Sequence, residues 1–325
     1  MAVLVAGGAG YIGSHAVRAL VEAGTRAVVL DDLSTGHANL VPEGVPLHVG
    51  DIADRALVMH VLASEQIEAV MLFAACSLVG ESEANPRKYF ERNCGGVLAL
   101  AGAMVDAGVT DIVLSSSAAV YGEATRPVLD ETHPRQPTST YGVTKMFAED
   151  VLAAYRVHGL RAVALRYFNA AGAHPSGEIG EHHVNETHLV PIVLDAALGV
   201  RDAVTVFGTD YPTRDGTCLR DYVHVWDLAD AHLRALGYLA RGGEPTRLDL
   251  GSTTGTTVRE VIAAVEAVTG KRVPVKDGAR RAGDPASLVT SSARAEQVLG
   301  WRAQRPDIHT IVEDAWRWHR RLRSA

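Results

Sequence analysis

The chain has 325 residues, 47% of them hydrophobic and 21% charged, which is enough to bury a sizeable core and predicts two lobes. A formal net charge of -7 argues against a nucleic-acid surface, and the lack of a basic tract or of an apolar run of 18 residues gives no sign of a membrane span. The three cysteines, Cys76, Cys94 and Cys218, are odd in number and far apart, which suggests a reduced compartment and neither a disulfide framework nor a zinc motif.

The N-terminus reads as a strand and not as the basic region and cleavage site of a signal peptide, so a cytoplasmic protein is expected. Residues 2 to 6, AVLVA, form the apolar run of a buried parallel strand, and from Tyr11 to Glu22 apolar residues recur at helical spacing. Between them lies AGGAGYIGSH, with Gly7, Gly10 and Gly13 spaced by three. Strand, glycine turn and helix in this order predict a dinucleotide site, where the backbone approaches a pyrophosphate and the helix N-terminus meets its charge. A second run, Ala27 to Leu30, ends in Asp31-Asp32, where a carboxylate would meet a ribose diol. Asp31 favours NAD over NADP, because a 2'-phosphate would face a negative charge there. After Leu47-His48-Val49, the turn Gly50-Asp51-Ile52 is read either as an adenine bracket or as an ordinary helix start capped by aspartate.

Further strand-like runs at Val70 to Phe73, Ile112 to Ser115 and Ala162 to Leu165 alternate with helical stretches, predicting an α/β fold with a doubly wound parallel (Rossmann) sheet. From Gly172 to Asp215 the composition turns to Gly, Pro, His and acidic residues, as expected of a loop-rich cap over the strand ends. The expected division is a cofactor lobe at 1–170 plus 223–254, and a smaller mixed α/β substrate-binding cap at 171–222 plus 255–325.

Chemistry concentrates in LSSSAAVYG and, 24 residues beyond Ser117, in TYGVTK. Tyr141 and Lys145 are four apart and share one face of a helix. A phenol near pKa 10 becomes a base at neutral pH only with help, which Lys145 and a positively charged nicotinamide could supply, while Ser117 relays the proton. In GEIGEHHVNETHLVP, His182, His183 and His188 with Glu181 and Glu186 could ligate zinc, but the spacing is not a helical His-xxx-His pattern, and no metal is expected.

Together GGAGYIGSH, GDI, FAACSLVGES, SSSAAVYG, YGVTK, RYFNAAGAHPSGEIGE, FGTDYPTRDGTCLRDYVHV and RRAGDPA resemble the UDP-glucose (UDP-galactose) 4-epimerases of the extended short-chain dehydrogenase/reductases, over essentially the whole chain. The resemblance implies an isomerase of carbohydrate and galactose metabolism that uses NAD without consuming it. Tyr141 takes the proton of the sugar 4-hydroxyl as hydride leaves C4, the 4-keto sugar swings to present its other face, and hydride returns. Cofactor contacts are then expected at Gly7, Gly10, Tyr11, Ile12, Gly13, Asp31, Asp32, Ser34, Asp51, Ile52, Phe73, Ala74, Ala75, Ser77, Asn93, Ser115, Tyr141, Lys145 and Tyr167. Those to the UDP-hexose substrate are expected at Ser117, Ala118, Ala119, Tyr141, Asn169, His188, Leu189, Val206, Phe207, Arg220, Tyr222, Arg281, Asp284 and Leu288.

The chain departs from the family pattern at Leu72, where His is common, at Ser77, where some members carry Lys, at Ala119, often Thr, and at Arg92, commonly a neutral polar residue. The resemblance places the position that gates N-acetyl sugars in relatives, just after Gly283-Asp284, at Leu288, or at Ser287 in a slipped register, and implies a preference for UDP-glucose and UDP-galactose with weak N-acetyl activity. An epimerase of another nucleotide sugar is the alternative. A 4,6-dehydratase would want an acid and a base after Ser117, where Ala118-Ala119 stand, and a non-catalytic NAD sensor would not need Tyr141 and Lys145. The resemblance also implies a homodimer through helices at 83–107 and 141–157.

Overall fold

Seven strands line up in the order β11-β6-β5-β4-β1-β2-β3 in a computed structural model that describes residues 1 to 281 and 284 to 324. They are β1 (Ala2–Ala6), β2 (Arg26–Asp31), β3 (Leu47–Val49), β4 (Ala69–Leu72), β5 (Asp111–Ser115), β6 (Arg161–Arg166) and β11 (Thr246–Asp249). Every pairing in the sheet is parallel. The order reverses beside β1, and ligands of such sheets bind beyond the carboxyl ends of the strands at that switch point. The Rossmann fold expected from the alternating runs is the fold observed.

The central strands β1 and β4 are buried on both faces because every residue in them is apolar. Leu4, Val70, Ile112 and Leu114 face one cluster with Val58, Leu62, Leu100 and Met104, which come from α2 (Arg55–Ser64) and α5 (Gly96–Ala107). Val3, Val5, Met71 and Val113 face the other, with Val17 and Leu20 of α1 (Tyr11–Glu22) and Leu228, Leu236 and Leu239 of α8 (Val225–Ala240). Leu20 is fully buried there, so its truncation to Ala removes about 2–5 kcal/mol. Two short helices, α3 (Val79–Ala84) and α4 (Pro86–Tyr89), precede a π-helical turn at Phe90–Gly95 that runs into α5, and α6 (Thr140–Ala154) follows the loop after β5.

A third cluster lies outside the sheet. It joins α7 (Leu189–Leu198), α9 (Val258–Thr269) and α11 (Ile308–Ser324) through Val193, Leu194, Val261, Val265, Ile311 and Val312. Short pairings surround it: β7 (Asn169–Ala171) with β10 (Tyr222–His224), β8 (Val204–Phe207) with β13 (Val275–Gly278), and β9 (Leu219–Arg220) between β12 (Thr256–Thr257) and β14 (Ser287–Leu288). One stretch expected in the cap packs elsewhere. Ala295 and Leu299 of α10 (Ala293–Leu299), with Trp301, bury against the α8 face of the sheet, where the Trp301 indole donates to the Asp227 carbonyl at 3.0 Å. The assignment of 255–325 as continuous cap therefore fails for these residues, because their apolar side chains complete the outer face of the sheet.

Candidate active site

The glycine turn between β1 and α1 is closed to side chains. Gly7 has φ +83°, and a Cβ on it would lie 2.4 Å from the Ala74 nitrogen; one on Gly13 would lie 2.0 Å from the Gly7 carbonyl oxygen. Only glycine lets these segments touch. Gly10 caps α1 without a side-chain hydrogen bond, so the cap residue leaves the first amides of the helix for another partner. Asp31 is buried and accepts from the Ala9 and Leu33 amides, each at 2.9 Å; burial pushes its carboxyl above the usual range. Together these features fit a dinucleotide: a cradle for a pyrophosphate, then a carboxylate for a ribose.

Around this turn Ile12, Phe73, Ala74 and Ala75 are half-buried, Ile52 is buried, and Ser34 and Ser77 are exposed. The helix that follows Asp51 is capped by Asp54, which accepts from the Leu57 amide at 3.0 Å, so Asp51 is not the capping residue. Asp51 instead pairs with Arg92, whose guanidinium also reaches Asp32 at 3.0 Å. Arg92, read from sequence only as a departure, thus bridges the two acidic turns after β2 and β3. Asn93 lies in the π-helical turn, and its amide is committed on both sides. It accepts from the Cys76 amide at 2.8 Å and donates to the Cys76 carbonyl and the Thr144 hydroxyl, each at 3.0 Å. Its effect is to tie the loop after β4 to α6.

Ser139 caps α6 through the Gly142 amide at 3.1 Å, and Tyr141 and Lys145 come one turn apart. The Lys145 ammonium is buried, donates to the Ser115 carbonyl at 2.9 Å and lies 5.8 Å from the centre of the Tyr141 ring. Burial lowers its pKa to about 8, and burial likewise pushes the Tyr141 phenol up to about 12, partly offset by a hydrogen bond with Ser117. Ser117 reaches the phenol because β5 ends two residues earlier and the chain turns into a short helical segment, Ala118–Tyr121. Behind it, the Ser115 and Tyr167 hydroxyls are 2.5 Å apart. Ala118 is buried and Ala119 partly so.

Beneath this group lies a network that the sequence reading missed. Arg166 is 1% exposed and donates to both oxygens of Glu149, at 2.7 and 2.5 Å, and to the Tyr121 hydroxyl at 2.8 Å. Ser116 donates to Glu149 at 2.6 Å, and Tyr121 donates to Asp249 at 2.7 Å. Glu149 stands one turn beyond Lys145, so the network fixes α6 against the ends of β5, β6 and β11. Its only sequence signal was the polarity of Arg166 at the end of an apolar strand.

Apart from Ser117, Ala118, Ala119 and Tyr141, the predicted nucleotide-sugar residues lie on the short strands, loops and helix start beyond β6. Asn169 pairs in register with Tyr222 and donates to the Asp221 carbonyl at 2.9 Å. Arg220 pairs with Leu288 in register; its guanidinium contacts Asp284 and donates to the Pro285 carbonyl at 2.9 Å. The Arg281 guanidinium lies 4.0 Å over the Phe207 ring. Val206 is buried in the third cluster, so its side chain is committed to packing, and Gly283 lies outside the described residues. His188 caps α7 just before Leu189, and its ring meets Glu181. The loop at 181–188 draws His183 and Glu186 to the same point, whereas His182 stacks on His37 with ring centres 4.0 Å apart. Among the described residues no helix is long and apolar enough to cross a membrane.

Residues 3–251 match the model of the NAD dependent epimerase/dehydratase family. A UDP-glucose 4-epimerase of Lacticaseibacillus casei is 48% identical over 98% of this chain and 97% of its own length. A solved UDP-glucose 4-epimerase superposes with a TM-score of 0.98 at 46% identity, covering 100% of this chain and 99% of the other. The UDP-glucose 4-epimerase of Brucella ovis, solved in complex with NAD, gives 0.95 at 44% identity, with 97% of each chain covered.

Proposed function

Since the chain belongs to the NAD dependent epimerase/dehydratase family, we propose that it interconverts UDP-glucose and UDP-galactose by inverting C4 of the hexose on a retained NAD. The observation that carries this reading is the meeting of Tyr141, Lys145 and Ser117 at the carboxyl end of β5, on the same sheet edge as the glycine turn after β1 and two strands from it. NAD, when bound, supplies the acceptor and donor of the sugar's C4 hydride and adds positive charge beside the phenol. Gly7, Gly10 and Gly13 with the Tyr11 and Ile12 amides hold its pyrophosphate, Asp31 its adenosine ribose, and Asp51 and Ile52 its adenine.

Tyr141 takes the 4-hydroxyl proton at its phenol oxygen and later returns it. With its pKa raised to about 12 by burial, the phenol needs the Lys145 ammonium and the Ser117 hydrogen bond to serve as a base near neutral pH. Lys145, at about 8, still carries its charge at pH 7. Ser117 passes the proton between the sugar hydroxyl and the phenol. After Ser117 the side chains of Ala118 and Ala119 offer neither acid nor base, so water elimination at C5 and C6 has no proton carrier there.

Arg220 and Arg281 take the UDP diphosphate, with Asp284 giving up Arg220 as the nucleotide enters. Phe207, Asn169, Tyr222, Leu288, His188, Leu189 and the Val206 backbone line the nucleotide and sugar. Firm hold on the nucleotide and light hold on the hexose let the 4-keto sugar turn over. Leucine at 288 favours plain hexoses over N-acetylhexosamines. The same reading gives a cytoplasmic homodimer: Phe90, Leu98 and Phe147, on the helices expected at the interface, are 45%, 43% and 36% exposed and need cover.

The test is incubation of the purified protein with UDP-galactose and no added NAD, followed by proton NMR. A fixed equilibrium mixture with UDP-glucose is the expected outcome. Silence with and without added NAD overturns the reading.

A further inference from the structure

We propose that Glu181, His183, Glu186 and His188 form a structural site for one divalent transition-metal ion of the zinc class. Their four ligand atoms lie within 4.8 Å of one another. The His183 Nδ1 is 3.2 Å from Glu181 and 3.4 Å from Glu186, and the His188 Nδ1 is 3.9 Å from Glu186 and in contact with Glu181. A tetrahedral zinc with bonds of about 2.1 Å holds its ligands about 3.4 Å apart; the His183 Nδ1 already stands at that spacing from both carboxylates, and the His188 Nδ1 draws back from its direct contact with Glu181 to admit the ion. An N2O2 set of imidazole and carboxylate suits zinc and its neighbours.

The charges point the same way. Glu181 is 7% exposed at its side chain and Glu186 13%, so two carboxylates are held largely out of water on one short loop. One divalent cation balances these two carboxylates, and the two imidazoles that share it stand with ring centres 5.4 Å apart. Outer partners are also in place. The Trp318 indole donates to the Glu181 carbonyl at 2.8 Å, and the Thr187 and His188 amides donate to Glu186, each at 2.8 Å. The Tyr11 ring packs edge-on to His183 at 6.3 Å. His188, 48% exposed, is the side from which an ion enters.

With four protein ligands the ion itself has no open position for substrate, as in structural zinc sites, and His188, ligating through Nδ1, leaves its Nε2 for the nucleotide. It staples the cap loop to the start of α7 and sets that loop against Tyr11 at the cofactor turn. The spacing Glu-x-His-x-x-Glu-x-His concealed it, since it matches no helical ligand pattern and depends on the loop folding back on itself.

The test uses the full chain, stripped with a chelator, desalted and titrated with zinc chloride against a chromophoric competitor. One equivalent per chain is expected, with affinity falling more than about 100-fold in both His183→Ala and His188→Ala, and unchanged in His182→Ala. Zinc should also raise the thermal midpoint of the wild type and not that of Glu186→Gln, with far-UV circular dichroism confirming that each variant folds. Absence of saturable binding, one equivalent retained in a folded His183→Ala, His188→Ala double variant, or equal loss in His182→Ala overturns the proposal. None of these readouts depends on epimerase activity.

Discussion

The glycine turn after β1 and the pocket around Arg220 are each proposed to hold a diphosphate, and they are built in opposite ways. The turn uses backbone. Gly7 and Gly13 admit no side chain, and a helix N-terminus faces the ligand with no cationic residue in the turn itself. The pocket uses side chains, and its arginines already have partners: Arg220 has Asp284, and Arg281 has the Phe207 ring. A backbone cradle needs no rearrangement to bind, which suits a cofactor that stays. Arginines that must exchange an internal partner for phosphate suit a substrate that comes and goes.

The comparison breaks first at the chemical group between the two regions. Tyr141→Phe should lower kcat by about 10²–10⁴ while NAD stays bound, since the cradle is untouched; NMR turnover together with cofactor absorbance checks both halves. Loss of NAD along with activity would show that the phenol serves the cradle instead. Arg166→Met should cost about 3–5 kcal/mol in urea unfolding, because it leaves the buried Glu149 carboxylate short of its main partner.

Gly13→Ala sharpens the contrast from the cofactor side. Its Cβ would press on the Gly7 carbonyl, costing about 1–3 kcal/mol of stability and stripping NAD on gel filtration, with nucleotide-sugar binding by calorimetry retained. The turn should also be the acid-sensitive region. His15 donates from Nδ1 to the Tyr11 carbonyl at 2.7 Å, and burial lowers its pKa to about 3. Below pH 6.5 the unfolded chain binds a proton that the fold refuses, so stability falls as pH drops from 6.5 towards 3. The slope is about 1.4 kcal/mol per pH unit from this group, and His15→Gln should flatten urea midpoints measured over that range. The smallest effect belongs to the pocket: Arg281→Ala should weaken UDP binding by about 0.5–2 kcal/mol, measured by calorimetry, and leave NAD content unchanged.

Much of the cofactor half was legible because its signals are local. A strand, three glycines and an amphipathic helix occupy 21 consecutive residues, from Ala2 to Glu22, and strand β2 ends at Asp31 as its apolar run predicts. Tyr141 and Lys145 could be placed on one face from helical period alone. The substrate half was legible mainly through resemblance to a family, since Asn169, Arg220 and Asp284 sit on short strands and loops with no periodicity of their own.

What the sequence by itself determined, then, is each element whose residues interact with near neighbours: the alternating sheet, the turn that tolerates only glycine, and the Tyr-Lys helix face. What only the tertiary structure decided are the pairings across long separations. Tyr121 meets Asp249 across 128 residues, Arg92 meets Asp51 across 41, and His182 turns to His37 while its neighbours turn to Glu181. The physical reason is that a hydrogen-bonding side chain carries no periodic signal of its partner. Burial selects that partner once the strands have set which chain ends meet.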